Sequence, residues 1–204
     1  MKRLPDSRIR ELHGDPDRLV RIYTHQHPDA FARAPERGYL TGDAAFAFDE
    51  NPEFEPAYFW MVDRMRERIP GFSGDLPVWA WVKRPSGKPL DHDRGPTLRI
   101  TALVPRRRMV LSDFDDWHSP LAGWQLSLTE AHHVEDESIG IWNNPSLAHH
   151  RQDWLHVFDL RPKTDKEIAW RGAGRIVQAC VDRVFIHEIT QTRRMRLRPP
   201  KFRP

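Results

Sequence analysis

Apolar side chains recur along this chain in two rhythms. Between positions 54 and 69 they fall every third or fourth residue. Phe54, Tyr58, Met61, Met65 and Ile69 make one stripe, and Asp63, Arg64, Arg66, Glu67 and Arg68 fill much of the other side. That spacing predicts an amphipathic helix over 54–69, ended by Pro70-Gly71. Elsewhere the runs are short and rich in β-branched and aromatic residues. Strands are predicted at 19–24, 76–83, 97–104, 108–111 and 176–181, with a further candidate at 194–197. Pro28 suits a first helical turn and Gly38 a C-cap, so 28–37 predicts a short helix. A capped turn is expected over 112–124 and another helix over 146–158. Residues 127–145 read as a polar loop, and 84–96 as a loop rich in proline, glycine and charge.

Strands and helices do not alternate as regular βαβ units. The order predicts an α+β fold: a single domain over 19–190 with a mixed or antiparallel twisted sheet and short flanking helices. A polar arm is expected at 1–18 and a basic tail at 191–204.

Composition narrows the class. A chain of 204 residues fits one domain. Eight tryptophans and ten phenylalanines argue against disorder, and eighteen prolines keep regular elements short. Cys180 is the one cysteine, which excludes an internal disulfide and a cysteine-rich zinc site. No run approaches the roughly 18 apolar residues of a membrane span. The charged start, Met1-Lys2-Arg3, lacks the apolar core of a signal peptide, so a cytoplasmic location is expected. Net charge is +3, unevenly spread. No acid follows Glu188, whereas Arg193, Arg194, Arg196, Arg198, Lys201 and Arg203 do. Arg194, Arg196 and Arg198 are therefore candidate contacts to nucleic-acid phosphates. The plainer reading of such a run is a solvated end.

Several segments carry candidate chemistry. Asp113, Asp115, Asp116 and His118 fall within six residues. They suit an acid–base or metal cluster. Equally, Ser112 could cap a helix with Asp115 as the returning acid of a capping box, and the aspartates would complement its dipole. The adjacent pairs His132-His133 and His149-His150 point apart on either helix or strand, so they make poor metal sites, and no metal is assigned. Trp79 and Trp81 alternate on one strand and share a face. Such a pair either packs in a core or lines a groove that stacks a base or nicotinamide. No Gly-x-Ser-x-Gly, Walker or Gly-x-Gly-x-x-Gly motif is present.

Ala57-Tyr58-x-Trp60-Met61, Pro77-x-Trp79-Ala80-Trp81, Leu111-Ser112-Asp113-Phe114-Asp115-x-Trp117-His118, Trp154 through Leu160 and Ile176-Val177-Gln178-Ala179 occur in this order. Together they resemble an uncharacterised family of bacterial proteins described as a domain of unknown function, over roughly residues 20–190. A second resemblance is more distant. Arg21-Ile22-Tyr23-Thr24-His25, a short helix and Gly38 look like the first strand–helix unit of ADP-ribosyltransferase-like proteins. That resemblance implies a split, strongly twisted sheet and NAD as substrate. It implies NAD contacts from the first strand and a polar residue on a late strand, here Gln178. Arg21, Tyr23, Thr24, Trp79 and Trp81 become candidate NAD-binding residues. Gln178, His25 and Glu188 become candidate catalytic ones. This sequence departs from the pattern: the expected histidine falls on Thr24, or on His25 in a shifted register, and the acid position holds Gln178. The expectation is an ADP-ribosyltransferase-like enzyme acting on a macromolecule or small molecule. The alternative is a nucleic-acid-binding module without catalysis. The NAD-site reading predicts that His25, Trp81 and Gln178 line one pocket.

Overall fold

The computed structural model describes residues 3–49, 51–85, 97–138, 140, 152–172, 174 and 176–195. The period-two runs become strands: β1 (Leu19–Gln26), β2 (Tyr39–Leu40), β3 (Val78–Trp81), β4 (Thr97–Pro105), β5 (Met109–Asp113), β6 (Val177–Val181), β7 (Val184–Phe185) and β8 (Ile189–Met195). Six of them form one antiparallel sheet in the order β5-β6-β3-β1-β4-β8, and β2 and β7 form a separate two-stranded ribbon. The architecture is α+β, as the mixed order of elements predicts.

The helices are α1 (Asp6–His13), α2 (Pro28–Ala32), α3 (Ala34–Arg37), α4 (Ala44–Ala47), α5 (Glu55–Arg68), α6 (Phe114–Leu121), α7 (Glu130–Ser138) and α8 (Asp165–Arg171), with a 3-10 segment at Trp154–Phe158. Strand alternation divides the sheet into two faces. One carries Val20, Ile22, Val78, Ala80, Ile100, Ala102, Leu111, Ala179 and Val181 and packs on Ile9, Leu12, Ala34, Leu40, Leu160 and Val184. The other carries Val110 and Cys180, which lie under Trp60, Met61 and Met65 of α5 with Trp117, Trp154 and Val157. Burying one such aliphatic side chain contributes roughly 1.5–3 kcal/mol, so each layer fixes the helices above it.

Four expectations change. Residues 6–13 are not part of a free arm. They form α1, because Leu4, Ile9 and Leu12 are buried against the sheet. Within 127–145, read as a loop, lies α7; its buried residue is the polar Asp136, so no apolar stripe announced it. The helix expected over 28–37 divides at Arg33 into α2 and α3, with Gly38 left-handed at φ 81° as the C-cap. Ser112 is not the cap of α6. β5 runs two residues further, and Asp113 takes the cap, accepting from the Asp115 amide at 3.0 Å. The tail also contributes: residues 191–195 belong to β8, paired to β4. Arg196, Arg198, Lys201, Arg203, His149 and His150 lie outside the described residues.

Candidate functional site

The sheet register aligns residues from several strands in one row. Thr101, Tyr23, Trp81, Gln178 and Ser112 are successive Cα partners on β4, β1, β3, β6 and β5, and Gln191 of β8 extends the row. Directly opposed residues on antiparallel strands share a face, with Cβ atoms about 4.5–5.5 Å apart. Tyr23 and Gln178 are therefore the immediate neighbours of Trp81 on either side, although 155 positions separate them in the sequence. His25 lies on the same face of β1, two residues along and in register with Arg99.

The row is built from buried and half-buried groups. Trp81 is 9% exposed and Gln178 4%. Phe114, the first residue of α6, meets Trp81 edge-on at 4.8 Å, and His118 meets Phe114 edge-on at 4.6 Å. The Gln178 amide nitrogen is buried with no hydrogen-bond partner among the described residues. Ser112 Oγ lies beside the Cys180 thiol, which is a weak partner. A buried polar atom left unmatched costs about 1–3 kcal/mol, so such atoms call for an explanation. Beside Trp81 and Tyr23, one explanation is a ligand's own donors and acceptors.

Other candidates are used elsewhere. Thr24 faces the opposite side of β1, donates its hydroxyl to the Trp79 carbonyl at 2.6 Å and accepts from Gln26 Nε2. It is a structural residue, not part of the row. Trp79 shares the face of Trp81 but is packed beneath α5, against Tyr58 at 5.5 Å and Trp117 at 4.8 Å. Burial, with the neighbouring Cys180, pushes the Tyr58 phenol up to about 12 despite its bond to Trp79. Glu188 ion-pairs with Arg108 and accepts the Phe185 amide at 2.9 Å. That engagement holds it where β5 begins, while Gln178 pairs with Ser112 near the strand's other end. Glu188 is therefore not brought to Gln178. Arg21 is exposed on the face of the row, and Arg194 is exposed on β8.

Asp113 and Asp116 enter a different constellation. Lys163 Nζ donates to Asp116 Oδ1 at 3.0 Å and sits 3.7 Å from Asp113 Oδ2. Arg171 Nη1 is 2.9 Å from Asp116 Oδ2 and its Nη2 reaches Glu167 at 3.3 Å. Arg161 grips Glu167 through two bonds, of 2.9 and 2.7 Å. The carboxyl groups of Asp113, Asp116 and Glu167 are all under 4% exposed. Burial and the Asp113 charge raise Asp116, against Arg171 and Lys163; Arg161 first, then Thr164, hold Glu167 well below the usual range. Every carboxylate here has a cation, which makes this a structural clamp joining β5, α6 and α8. Sequence reading missed Lys163, Glu167 and Arg171; the Thr164-x-x-Glu167 capping box was the available signal.

The sequence profile of a domain of unknown function, DUF3841, matches residues 21–169. The chain belongs to the DUF3841 family. No curated protein and no solved structure matches it. The DUF3841 match takes in Tyr23, Trp81 and the clamp residues Asp113, Asp116, Lys163 and Glu167, and ends before Gln178.

One group of this DUF3841 chain has the composition of a metal centre. Donor atoms of His132, Asp136 and Asp153 lie within 4.8 Å of one another. The proton placement does not fit. The Leu128 amide donates to His132 Nδ1 at 3.3 Å, which leaves the imidazole proton on Nε2, facing Asp136 at 3.5 Å. A metal-ligating nitrogen needs a free lone pair, and its ring partner normally donates rather than accepts. Asp136 also accepts from Ser127 Oγ at 2.8 Å. The trio fastens α7 to its neighbours. Among the described residues, no helix is long and apolar enough to cross a membrane.

Proposed function

We propose that this protein is an NAD-using, ADP-ribosyltransferase-like enzyme whose nicotinamide riboside lies on the Tyr23–Trp81–Gln178 row. The observation that carries the reading is the register: β3 lies between β1 and β6, so first strand, aromatic strand and late polar strand meet at one level of the sheet. In the reaction the bond between nicotinamide and ribose C1′ breaks, and its electron pair leaves with nicotinamide. An acceptor oxygen or nitrogen forms the new bond to C1′ and releases its proton. The transition state carries positive charge on the ribose, so catalysis depends on fixed geometry and preorganised dipoles. Trp81, supported by Phe114, is the surface for the nicotinamide ring. The Gln178 amide orients the ribose hydroxyls through the donor the fold leaves unmatched. Tyr23 borders the ribose, and His25 is the titratable group that can receive the acceptor's proton. An amide in place of a carboxylate supplies less charge stabilisation, which favours slow turnover. Thr24, Trp79 and Glu188 drop out of the mechanism.

The second reading, a non-catalytic nucleic-acid module, has one observation behind it: exposed Arg193 and Arg194 on the edge strand β8.

Thermal unfolding with and without NAD tests the proposal. A ligand bound to the native state at 100 times its Kd adds about 2.7 kcal/mol, enough to raise the melting temperature by several degrees. Gln178→Leu separates function from folding. It removes a buried amide nitrogen that has no partner, so unfolding stability should hold or rise slightly, while the NAD-induced shift and release of nicotinamide fall at least tenfold. Equal NAD responses in both proteins would reject the assignment.

A further inference from the structure

The same face of the sheet changes character beyond Tyr23. The half formed by β1, β4 and β8 holds an open hollow of about 320 Å³ lined by Arg21, Tyr23, Arg84, Thr101, Thr190 and Gln191. Arg99 and Arg193 stand beside it, in register with each other and with His25. A β-bulge between Thr101 and Ala102 turns Thr190 and Gln191 together toward the hollow, and Thr190 Oγ1 donates to the Thr101 carbonyl at 3.2 Å. Bulges re-aim side chains in this way beside binding sites.

The charge here is unbalanced. Many arginines elsewhere are matched to carboxylates, as in Arg33–Asp43, Arg161–Glu167 and Arg183–Asp75, and those that are not, such as Arg10 and Arg37, do not gather around one hollow. Among the described residues, Arg21, Arg84, Arg99 and Arg193 have no ion pair and no side-chain hydrogen bond. Arg99 is 4% exposed. Its charged neighbours Arg84 and Arg193 are of like sign, and burial first, then these two, pull its guanidinium below its usual value. An anion among these three guanidinium groups would relieve the repulsion between their like charges. From Arg21 to the level of Arg99 is four residues of strand, about 13 Å. That span exceeds what one phosphate occupies. With the ring of Tyr23 inside the array, cations and an aromatic surface alternate as they do in grooves for single strands.

We infer that the β1–β4–β8 half of the face binds a single-stranded nucleic acid, its successive phosphates held by Arg21, Arg84, Arg99 and Arg193 and a base resting on Tyr23. The surface takes in Arg193 of the basic run but not Arg194, and binding there does not require NAD. If the transferase reading also holds, a strand so bound lies next to the ribose on Trp81 and Gln178 as its acceptor.

The test is fluorescence anisotropy of a labelled ten-nucleotide poly-dT on the full chain at several salt concentrations. Each phosphate contact contributes about 0.7 to the slope of log affinity against log salt on single strands. Replacing two exposed contacts, in Arg21→Gln/Arg84→Gln, should weaken binding at least tenfold at low salt and flatten the slope by about 1.4. Arg10→Gln/Arg37→Gln removes equal charge from exposed positions on other elements and should change affinity by less than about threefold, since that charge is off the path of the strand. Circular dichroism verifies both folds. Loss of equal size in the two double variants, or no binding at low salt, would overturn the inference. So would inorganic pyrophosphate binding as tightly as the decamer, which would mean a site for one small anion. Oligonucleotide binding without any NAD response would remove the transferase reading and leave the strand-binding surface standing.

Discussion

A methyl group at Gly174 would come 2.3 Å from Lys163 Nζ and 2.6 Å from Asp113 Oδ2, and the residue has φ +49°. Glycine is therefore required where the chain passes the buried Lys163–Asp113 pair. Asp113 carries two duties there, helix cap and clamp member, whereas Ser112 on the other side of the strand carries neither. Asp113→Ala should cost roughly 0.5–2 kcal/mol for the cap, and more for leaving Lys163 with one carboxylate fewer. Ser112→Ala should stay within about 0.5 kcal/mol, because its hydroxyl has only a thiol beside it. Urea unfolding of the two variants checks the contrast; a large loss at Ser112 would reassign the cap. In the sequence Ser112-x-x-Asp115 looked like the better start signal. The longer β5 moves the cap by one position, and nothing in the local pattern sets strand length at that resolution.

At the scale of elements, α8 shows most clearly what electrostatics contributes. Thr164 and Glu167 cap it reciprocally, and Glu167 then binds Arg161 and Arg171. A carboxyl held below its usual value stabilises the fold fully above its unfolded pKa of 4.5, and that stabilisation is lost as pH falls through the folded value. Asp116 acts in the opposite sense. Burial raises its pKa, so its ionisation weakens the fold as pH rises through its range, and protonation in acid relieves this. Glu167→Gln should therefore lose about 1–3 kcal/mol at neutral pH, with the gap to the parent closing below pH 4.5. A gap of constant size from pH 7 to pH 3 would mean that packing, not the pairing with Arg161, accounts for the loss. The elements legible in the sequence were those with a clean apolar rhythm: α5 and strands β1, β3, β4, β5 and β6. α1 buries just Ile9 and Leu12 among polar residues, α7 buries an aspartate, and β8 is an arginine-rich edge. Each of these is fixed by tertiary contacts that a local pattern does not contain.

For the molecule as a whole, fold class was readable and register was not. The alternation of Trp79 and Trp81 told that both rings share a face. It did not tell that α5 covers one and leaves the other beside Gln178, nor that β3 enters the sheet between β1 and β6. That order builds the row proposed as the site, because it aligns Tyr23, Trp81 and Gln178 and leaves the half of the face beyond them basic and open. The most direct measurement is a crystal structure of the full chain grown with NAD. The nicotinamide ring is expected against Trp81, with a ribose hydroxyl within about 3.2 Å of the Gln178 amide. NAD bound away from that row, or a row filled by the chain's own side chains while NAD occupies another surface, would contradict it.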